Sequence, residues 1–140
     1  MRTFKKILVP DDFSNHSKEA RLYAADLAAR YDAHIDLVHV YQPISYSLPE
    51  GQVFHSAEQL KELLAALDVR LGESKADLLA SGTVKSLDTK LVLGSASVEI
   101  TSLAHDGAYD LIVMGTHGRG GLSHALLGSI AEKVVRTAPC

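Results

Sequence analysis

Short apolar runs alternate along the chain with segments of helical periodicity. Four of these runs each predict a buried β-strand, at residues 7–9, 35–41, 90–94 and 110–114. The second run contains Asp36 and His39, so we expect it to be less buried than the first. The polar segment 42–55 contains Pro43, Pro49 and Gly51, and it predicts a long loop.

Apolar residues recur at helical spacing in the segments between and after the strands. The first helix is expected to start at Ser14 or Asn15, both of which are good helix caps. Ser56 begins a capping-box pattern before a helix that runs to about residue 79. Gly107 is expected to end a third helix, and Ser129 starts the last one.

Strands that alternate with helices predict an α/β fold, in which an open parallel sheet carries helices on both faces. We expect a single domain over residues 1–140, with the predicted strands in the order 3-2-1-4. That order makes strands one and four neighbours. Ligands of such sheets bind outside the carboxyl ends of the strands, so residues that follow strands one and four are the first candidates for a site.

Composition and charge narrow the function classes. The 140 residues are 46% hydrophobic and 22% charged, as in a soluble globular domain. The net charge of −3, without a basic stripe, argues against a nucleic-acid partner. No apolar stretch approaches the roughly 20 residues of a membrane span, and the first apolar run is too short for a signal peptide. The single cysteine, Cys140, excludes an intrachain disulfide, so we expect a cytoplasmic protein.

The glycine-rich segment after the fourth strand is the main candidate for a ligand site. Gly115 follows the end of the predicted strand, Gly118 comes three residues later, and nine residues separate Gly118 from Gly128. Glycine allows positive φ angles and a close approach of the backbone to a ligand, while a helix start offers unpaired N–H groups. A strand, a glycine-rich loop and a helix start in this order predict a phosphate-binding site. A purely structural glycine turn is the alternative.

This segment resembles the G-x2-G-x9-G-[ST] motif of the ATP-binding universal stress proteins, with Ser129 as its last residue. Residues 6–14, with the sequence KILVPDDFS, resemble the first strand and acidic loop of the same family. The resemblance extends from about residue 5 to Cys140. It implies a protein that binds ATP, with Mg²⁺ or Mn²⁺ carried on the phosphates, and that acts in stress response or signalling.

The resemblance also implies roles for individual residues. Asp12 would bind the ribose hydroxyls or the metal, and Asp11 is the weaker candidate. Pro10 and Val40 would contact the base at the ends of the first two strands. The alternatives are ordinary structural roles: Asp12 as a loop cap, Pro10 and Val40 as core residues, and Ser129 as a simple helix cap.

Arg119 is the strong cation of the glycine loop and is expected to reach the outer phosphates. The complete set of predicted nucleotide-binding residues is Pro10, Asp12, Val40, Met114, Gly115, Thr116, His117, Gly118, Arg119, Gly128, Ser129 and Ile130. Asp12 is also the predicted metal ligand. A role of His117 as a general base is disfavoured, because a lone loop histidine is more often a bystander.

Family chains continue after the last helix with an apolar fifth strand, which follows a Pro-Cys pair and pairs two subunits in many members. The present sequence reaches its end at Pro139 and Cys140. Either a further segment follows, or the fourth strand forms a sheet edge. In the second case we expect a homodimer that pairs differently from the usual one.

Other nucleotide-binding motifs are absent from the sequence. The first strand is not followed by G-x-G-x-x-G, and neither a Walker loop nor a G-x-S-x-G elbow occurs. No spacing among the seven histidines indicates a metal site. Because no positioned base is evident, hydrolysis should be slow or absent. The alternatives are an interaction module whose loop stays empty, and an ATPase or nucleotidyl transferase on the same sheet.

Overall fold

The computed structural model describes residues 2–43, 46–53, 55–117 and 126–140. Gly118 and Arg119, two of the predicted nucleotide-binding residues, therefore lie outside the described residues. The strands are β1 (Lys6–Pro10), β2 (His34–Tyr41), β3 (Tyr46–Leu48), β4 (Gly51–Val53), β5 (Leu87–Leu93) and β6 (Leu111–Ile112). The helices are α1 (Asn15–Tyr31), α2 (Ala57–Ala80), α3 (Ala96–Asp106) and α4 (Ser129–Thr137).

Four strands form a parallel sheet in the order β5-β2-β1-β6. These are the four predicted strands, so the α/β fold and the order 3-2-1-4 are confirmed. β1 lies between β2 and β6, with Ile7 opposite both Ile35 and Leu111. The carboxyl ends of these three strands are thereby brought to one edge of the sheet.

Alternating residues of the central strands divide the core between the two faces of the sheet. Ile7, Val9 and Ile35 pack with the buried residues of α1 and α2. Leu8 and Val38 pack with those of α3 and α4. Because successive side chains of a strand point to opposite faces, β1 and β2 cover both helical layers with apolar residues.

Local capping explains where the helices begin. The Ser14 side chain accepts a hydrogen bond from the Ser17 amide at 3.2 Å, so Ser14 is the N-cap of α1. Ser56 and Gln59 form the predicted capping box at α2, with both reciprocal bonds present. α4 begins at Ser129 as predicted, but its N-cap is Gly128. No described helix is long and apolar enough to cross a membrane.

Several boundaries differ from the prediction. Part of the expected loop 42–55 is an antiparallel hairpin of β3 and β4. β5 begins three residues earlier than predicted, at Leu87 rather than at Lys90, because its pairing with β2 continues through a polar stretch. β6 is shorter than the predicted strand 110–114. β2 is less buried than β1, as expected, because its last three residues, from His39 to Tyr41, are only partly buried. Asp36 does not contribute to this difference, since it is only 2% exposed.

Candidate functional site

A cavity of about 570 Å³ opens at the carboxyl ends of β1, β2 and β6, beside the first turns of α3 and α4. This volume lies within the range of about 300–1,000 Å³ that is usual for small-molecule sites. Every predicted nucleotide-binding residue that the structure describes lines the cavity: Pro10, Asp12, Val40, Met114, Gly115, Thr116, His117, Gly128, Ser129 and Ile130. The fold thus brings the ends of two distant sequence segments together at one opening.

Asp11 also borders the cavity, but its carboxylate is committed to the protein interior. Its side chain is fully buried, and its two oxygens lie 2.7 and 2.8 Å from Arg21 Nη1. The Phe13 amide donates to the same carboxylate at 2.9 Å. A buried ion pair with an additional hydrogen bond holds the loop in place, which gives Asp11 a structural role.

Asp12 is oriented by the start of α1. Its Oδ1 accepts hydrogen bonds from the Ser14 amide at 3.0 Å and from Ser17 Oγ at 2.6 Å. The Asp12 amide in turn donates to Ser17 Oγ at 3.2 Å. The residue therefore has the loop-capping role considered from the sequence, and it lines the cavity as well. The sequence analysis missed Ser17, which is buried and fixes this carboxylate.

His39 is a second lining residue that sequence reasoning missed. Its Nδ1 lies 2.7 Å from the Asp11 carbonyl oxygen, and because a carbonyl only accepts, Nδ1 carries the proton. Its ring packs against Phe13 with the centroids 4.6 Å apart. Phe13 has a φ angle of 66°, which is unusual for a bulky residue and marks a tightly determined loop. Its place next to Val40, at the end of a predicted strand, could have identified His39 from the sequence as a lining residue.

Two glycines of the motif allow the backbone to approach other segments closely. A Cβ at Gly128 would lie 2.7 Å from the Thr116 carbonyl oxygen, and one at Gly115 would lie 3.1 Å from the backbone of His16. Neither glycine has a positive φ angle. The requirement for glycine here is steric.

The first turn of α4 presents backbone N–H groups to the cavity. Gly128 has no side chain that can cap the helix, and its own amide donates to the Thr116 carbonyl at 2.6 Å. Ser129, Ile130 and Ala131 follow it and line the opening. The first amides of a helix lack carbonyl partners within the helix and carry a partial positive charge. This end of the cavity is therefore suited to an anion.

Thr116 and His117, at the start of the glycine-rich segment, add polar side chains to the cavity. Thr116 Oγ1 and His117 Nδ1 lie 2.9 Å apart, and the His117 ring packs near that of His16 at 5.0 Å. His117 Nε2 is buried and has no hydrogen-bond partner among the described residues. Lysine and arginine are absent from the described lining, so helix α4 supplies the positive potential of this part of the site.

Comparison with known proteins supports a common origin. A model of the universal stress protein family matches residues 3–140. The Thermus aquaticus universal stress protein in the QAH/OAS sulfhydrylase 3′ region is 36% identical over 137 residues, which cover 98% of this chain and 95% of its own.

Two solved structures are similar over nearly their whole lengths. The universal stress protein UspA from Lactobacillus plantarum has a TM-score of 0.83 at 27% identity, and the match covers 100% of this chain and 96% of that one. A universal stress protein solved in complex with cAMP has a TM-score of 0.72 at 22% identity, with 99% and 93% covered, and shares the fold. The family model, the sequence relative and the fold agree, and the chain belongs to the universal stress protein family.

Proposed function

We propose that this protein binds an adenine nucleotide, ATP together with Mg²⁺ or Mn²⁺, and acts as a nucleotide-dependent stress-response or signalling module. The observation that carries the proposal is the cavity itself. It joins the acidic loop after β1 to the glycine-rich segment after β6 and to the N-terminal turn of α4. A universal stress protein of the same fold was solved with cAMP, which supports the adenine nucleotide class.

The cavity lining offers both polar and apolar groups, as the parts of a nucleotide require. The amides of Ser129 and Ile130, together with the backbone near Gly115, are assigned to the phosphates. Pro10 and Val40, at the ends of β1 and β2, are assigned to the base. Gly118 and Arg119 keep their predicted roles at the phosphates, although they lie outside the described residues.

The residues present fit a metal ion that arrives with the nucleotide. Asp12 is the carboxylate assigned to it, because Asp12 lines the cavity and the Asp11 carboxylate is paired with Arg21 in the interior. Mg²⁺ is commonly held by one or two carboxylates plus substrate phosphates rather than by a complete protein cage. When bound, the ion would neutralise charge on the phosphates, and Ser17 would hold Asp12 in the orientation for that contact.

Hydrolysis is proposed to be slow or absent. An efficient base is usually oriented by a carboxylate or another fixed acceptor while it faces the reacting group. His117 contacts the Thr116 hydroxyl, which is a weak orienting group. His39 is oriented by the Asp11 carbonyl, but it packs against Phe13 and precedes Val40, which is assigned to the base rather than to the phosphates. A slow ATPase remains the alternative, and a protein-interaction module with an empty cavity is the other.

Titration calorimetry with ATP, AMP and cAMP, each with MgCl₂, tests the proposal. We expect saturable binding of at least one of these nucleotides with a stoichiometry of one per chain. Absence of heat with all three, in a protein that is folded by circular dichroism, would favour the interaction module. Steady phosphate release over many turnovers would favour the ATPase.

We also propose that the protein is cytoplasmic and forms a homodimer. In the described sheet, β6 pairs with β1 and forms an edge. Exposed apolar side chains lie before and along α4, among them Leu126 and Val135, which are 73% and 72% exposed. An apolar surface beside a sheet edge tends to recruit a partner. A clean monomer at micromolar concentration in the ultracentrifuge would contradict the dimer.

A further inference from the structure

The amino-terminal end of the sheet, opposite the nucleotide cavity, carries a cluster of metal-ligand side chains. His34 and Asp36 belong to β2, and Asp88 belongs to β5, where it lies directly opposite Asp36 in the register. The three residues come from segments more than 50 residues apart, so only the strand pairing brings them together. One imidazole and two carboxylates are ligands that suit divalent transition-metal ions.

Two of the three distances within this cluster match the edges of a metal coordination tetrahedron. His34 Nε2 lies 3.3 Å from Asp36 Oδ1 and 3.6 Å from Asp88 Oδ2, and all three ligand atoms lie within 4.8 Å of one another. Bonds of 2.0–2.2 Å from a tetrahedral Zn²⁺ require ligand atoms about 3.3–3.6 Å apart. Small shifts of the exposed Asp88 side chain would bring the third pair to this spacing.

Each ligand is held by a partner on the atom that faces away from the cluster. His34 Nδ1 lies 2.6 Å from Ser86 Oγ. Tyr109 donates to Asp36 Oδ2 at 2.5 Å. The Lys90 ammonium lies 3.8 Å from the same Asp36 oxygen, and Lys75 lies 3.8 Å from Asp88 Oδ1. Metal ligands in proteins are typically oriented by such outer partners.

The tautomer of His34 decides what can lie between the three ligand atoms. When Nδ1–H donates to Ser86 Oγ, the lone pair of Nε2 faces the two carboxylates, and this is the form that binds a metal ion. When Ser86 Oγ–H donates to Nδ1, an N–H on Nε2 faces the carboxylates instead. Asp36 is almost fully buried, whereas the Asp88 side chain is 68% exposed and leaves a path for an ion from solvent.

We propose that His34 Nε2, Asp36 Oδ1 and Asp88 Oδ2 bind a divalent transition-metal cation of the Zn²⁺ type. Water completes the coordination on the exposed side. The competing explanation is a metal-free cluster in which an N–H on His34 Nε2 bridges the two carboxylates with similar distances. The two explanations differ in whether added metal displaces the proton.

Metal titration of the whole, tag-free protein after EDTA treatment and buffer exchange distinguishes them. Calorimetry with ZnCl₂, without nucleotide, should show one site per chain that involves these residues. Co²⁺ in place of Zn²⁺ should give the intense visible absorption of tetrahedral coordination. His34→Ala and Asp88→Asn should each weaken this site by at least about 10-fold, the lower end of the effects seen for outer-shell partners alone.

Two control variants identify where the metal binds. His105→Ala removes an exposed histidine that contacts Asp106 at 3.1 Å, and Asp26→Ala removes an exposed carboxylate on α1. Both should keep the Zn²⁺ affinity of the wild type. Asp88→Asn changes an exposed side chain, so it remains informative if His34→Ala fails to fold. No Zn²⁺ binding by the wild type, or equal binding by Asp88→Asn, would overturn the proposal in favour of the bridging proton.

Discussion

The two neighbouring aspartates of the acidic loop have different environments, and this difference leads to separate predictions. For Asp12 we predict an effect on nucleotide binding. Asp12→Ala should weaken ATP by about 1–3 kcal/mol, the usual cost of losing a charge-assisted hydrogen bond. Calorimetry measures the affinity, and Asp26→Ala, an exposed change on α1, is the matched control. Equal ATP affinities of the two variants would contradict the assignment.

For Asp11 we predict an effect on stability instead. Asp11→Ala leaves the Arg21 guanidinium buried without its carboxylate, since the two side chains are 0% and 10% exposed. Breaking a buried ion pair from one side costs about 3–5 kcal/mol of the unfolding free energy. Urea denaturation measures this loss. Lys85→Ala, which breaks an exposed pair with Asp32, should leave the urea midpoint nearly unchanged.

An unchanged midpoint of Asp11→Ala, or an equal loss in Lys85→Ala, would show that the buried pair does not determine the stability of this loop. The sequence placed both aspartates next to the cavity but did not distinguish their surroundings. Arg21 lies ten residues away on α1, and only the packing of that helix against the end of β1 brings its side chain to Asp11. Periodicity indicates which face of a helix is inward, but it does not specify which polar residue on that face forms an ion pair.

At the scale of elements, the start of α4 requires a glycine at its N-cap, Gly128, for steric reasons. Gly128→Ala would place a methyl group 2.7 Å from the Thr116 carbonyl oxygen, so either the loop or the helix start must move. We expect a loss of about 1–3 kcal/mol in the unfolding free energy, as for overpacked sites. ATP affinity should fall at least 10-fold, because the α4 amides shift away from the phosphates.

Gly72→Ala in α2 is the matched control for this change. A Cβ at Gly72 meets no atom within 4 Å, so alanine should stabilise the helix by about 0.5–1 kcal/mol and leave ATP binding unchanged. Urea denaturation and calorimetry on the two variants test both effects. A Gly128→Ala variant that binds ATP as the wild type does would contradict the proposed role of the α4 entry.

The elements that the sequence predicted well are those with a local signal. The capping box at Ser56 and the start of α4 depend on residues close in sequence, and both lie where the pattern placed them. The hairpin of β3 and β4 was missed because its segment is short, polar and rich in turn residues. Strand pairing decides such segments, and pairing is not a local property.

Because strand pairing is not a local property, the sequence also did not reveal the cluster at the amino-terminal end of the sheet. His34 and Asp36 are two residues apart, but Asp88 joins them only through the register of β2 with β5. Motif spacing therefore gave no sign of it. Asp36 also shows why a polar residue in an apolar run need not reduce burial, because Tyr109 satisfies the buried carboxylate.

At the scale of the whole molecule, the sheet separates two polar regions. The nucleotide cavity lies at the carboxyl ends of the strands, while Asp36 and Tyr109 join the polar cluster at the other end. Burial raises the pKa of Tyr109, and the hydrogen bond to Asp36 and the charge of that carboxylate act in the same direction. Tyr109 therefore keeps its proton and continues to donate to Asp36 at physiological pH.

Because the two regions are separated by the apolar core of the sheet, changes at one end should leave the other unaffected, and thermal unfolding tests this. ATP at about 100 times its dissociation constant adds about 2.7 kcal/mol to the unfolding free energy. For a chain of this length the gain corresponds to roughly 10 °C in Tm. Asp88→Asn should show this full shift, whereas Asp12→Ala at the same ATP concentration should shift by less than about 7 °C, given the weaker binding expected above. A shift that is lost in Asp88→Asn would mean that the two ends are coupled, and an undiminished shift in Asp12→Ala would remove Asp12 from the nucleotide site.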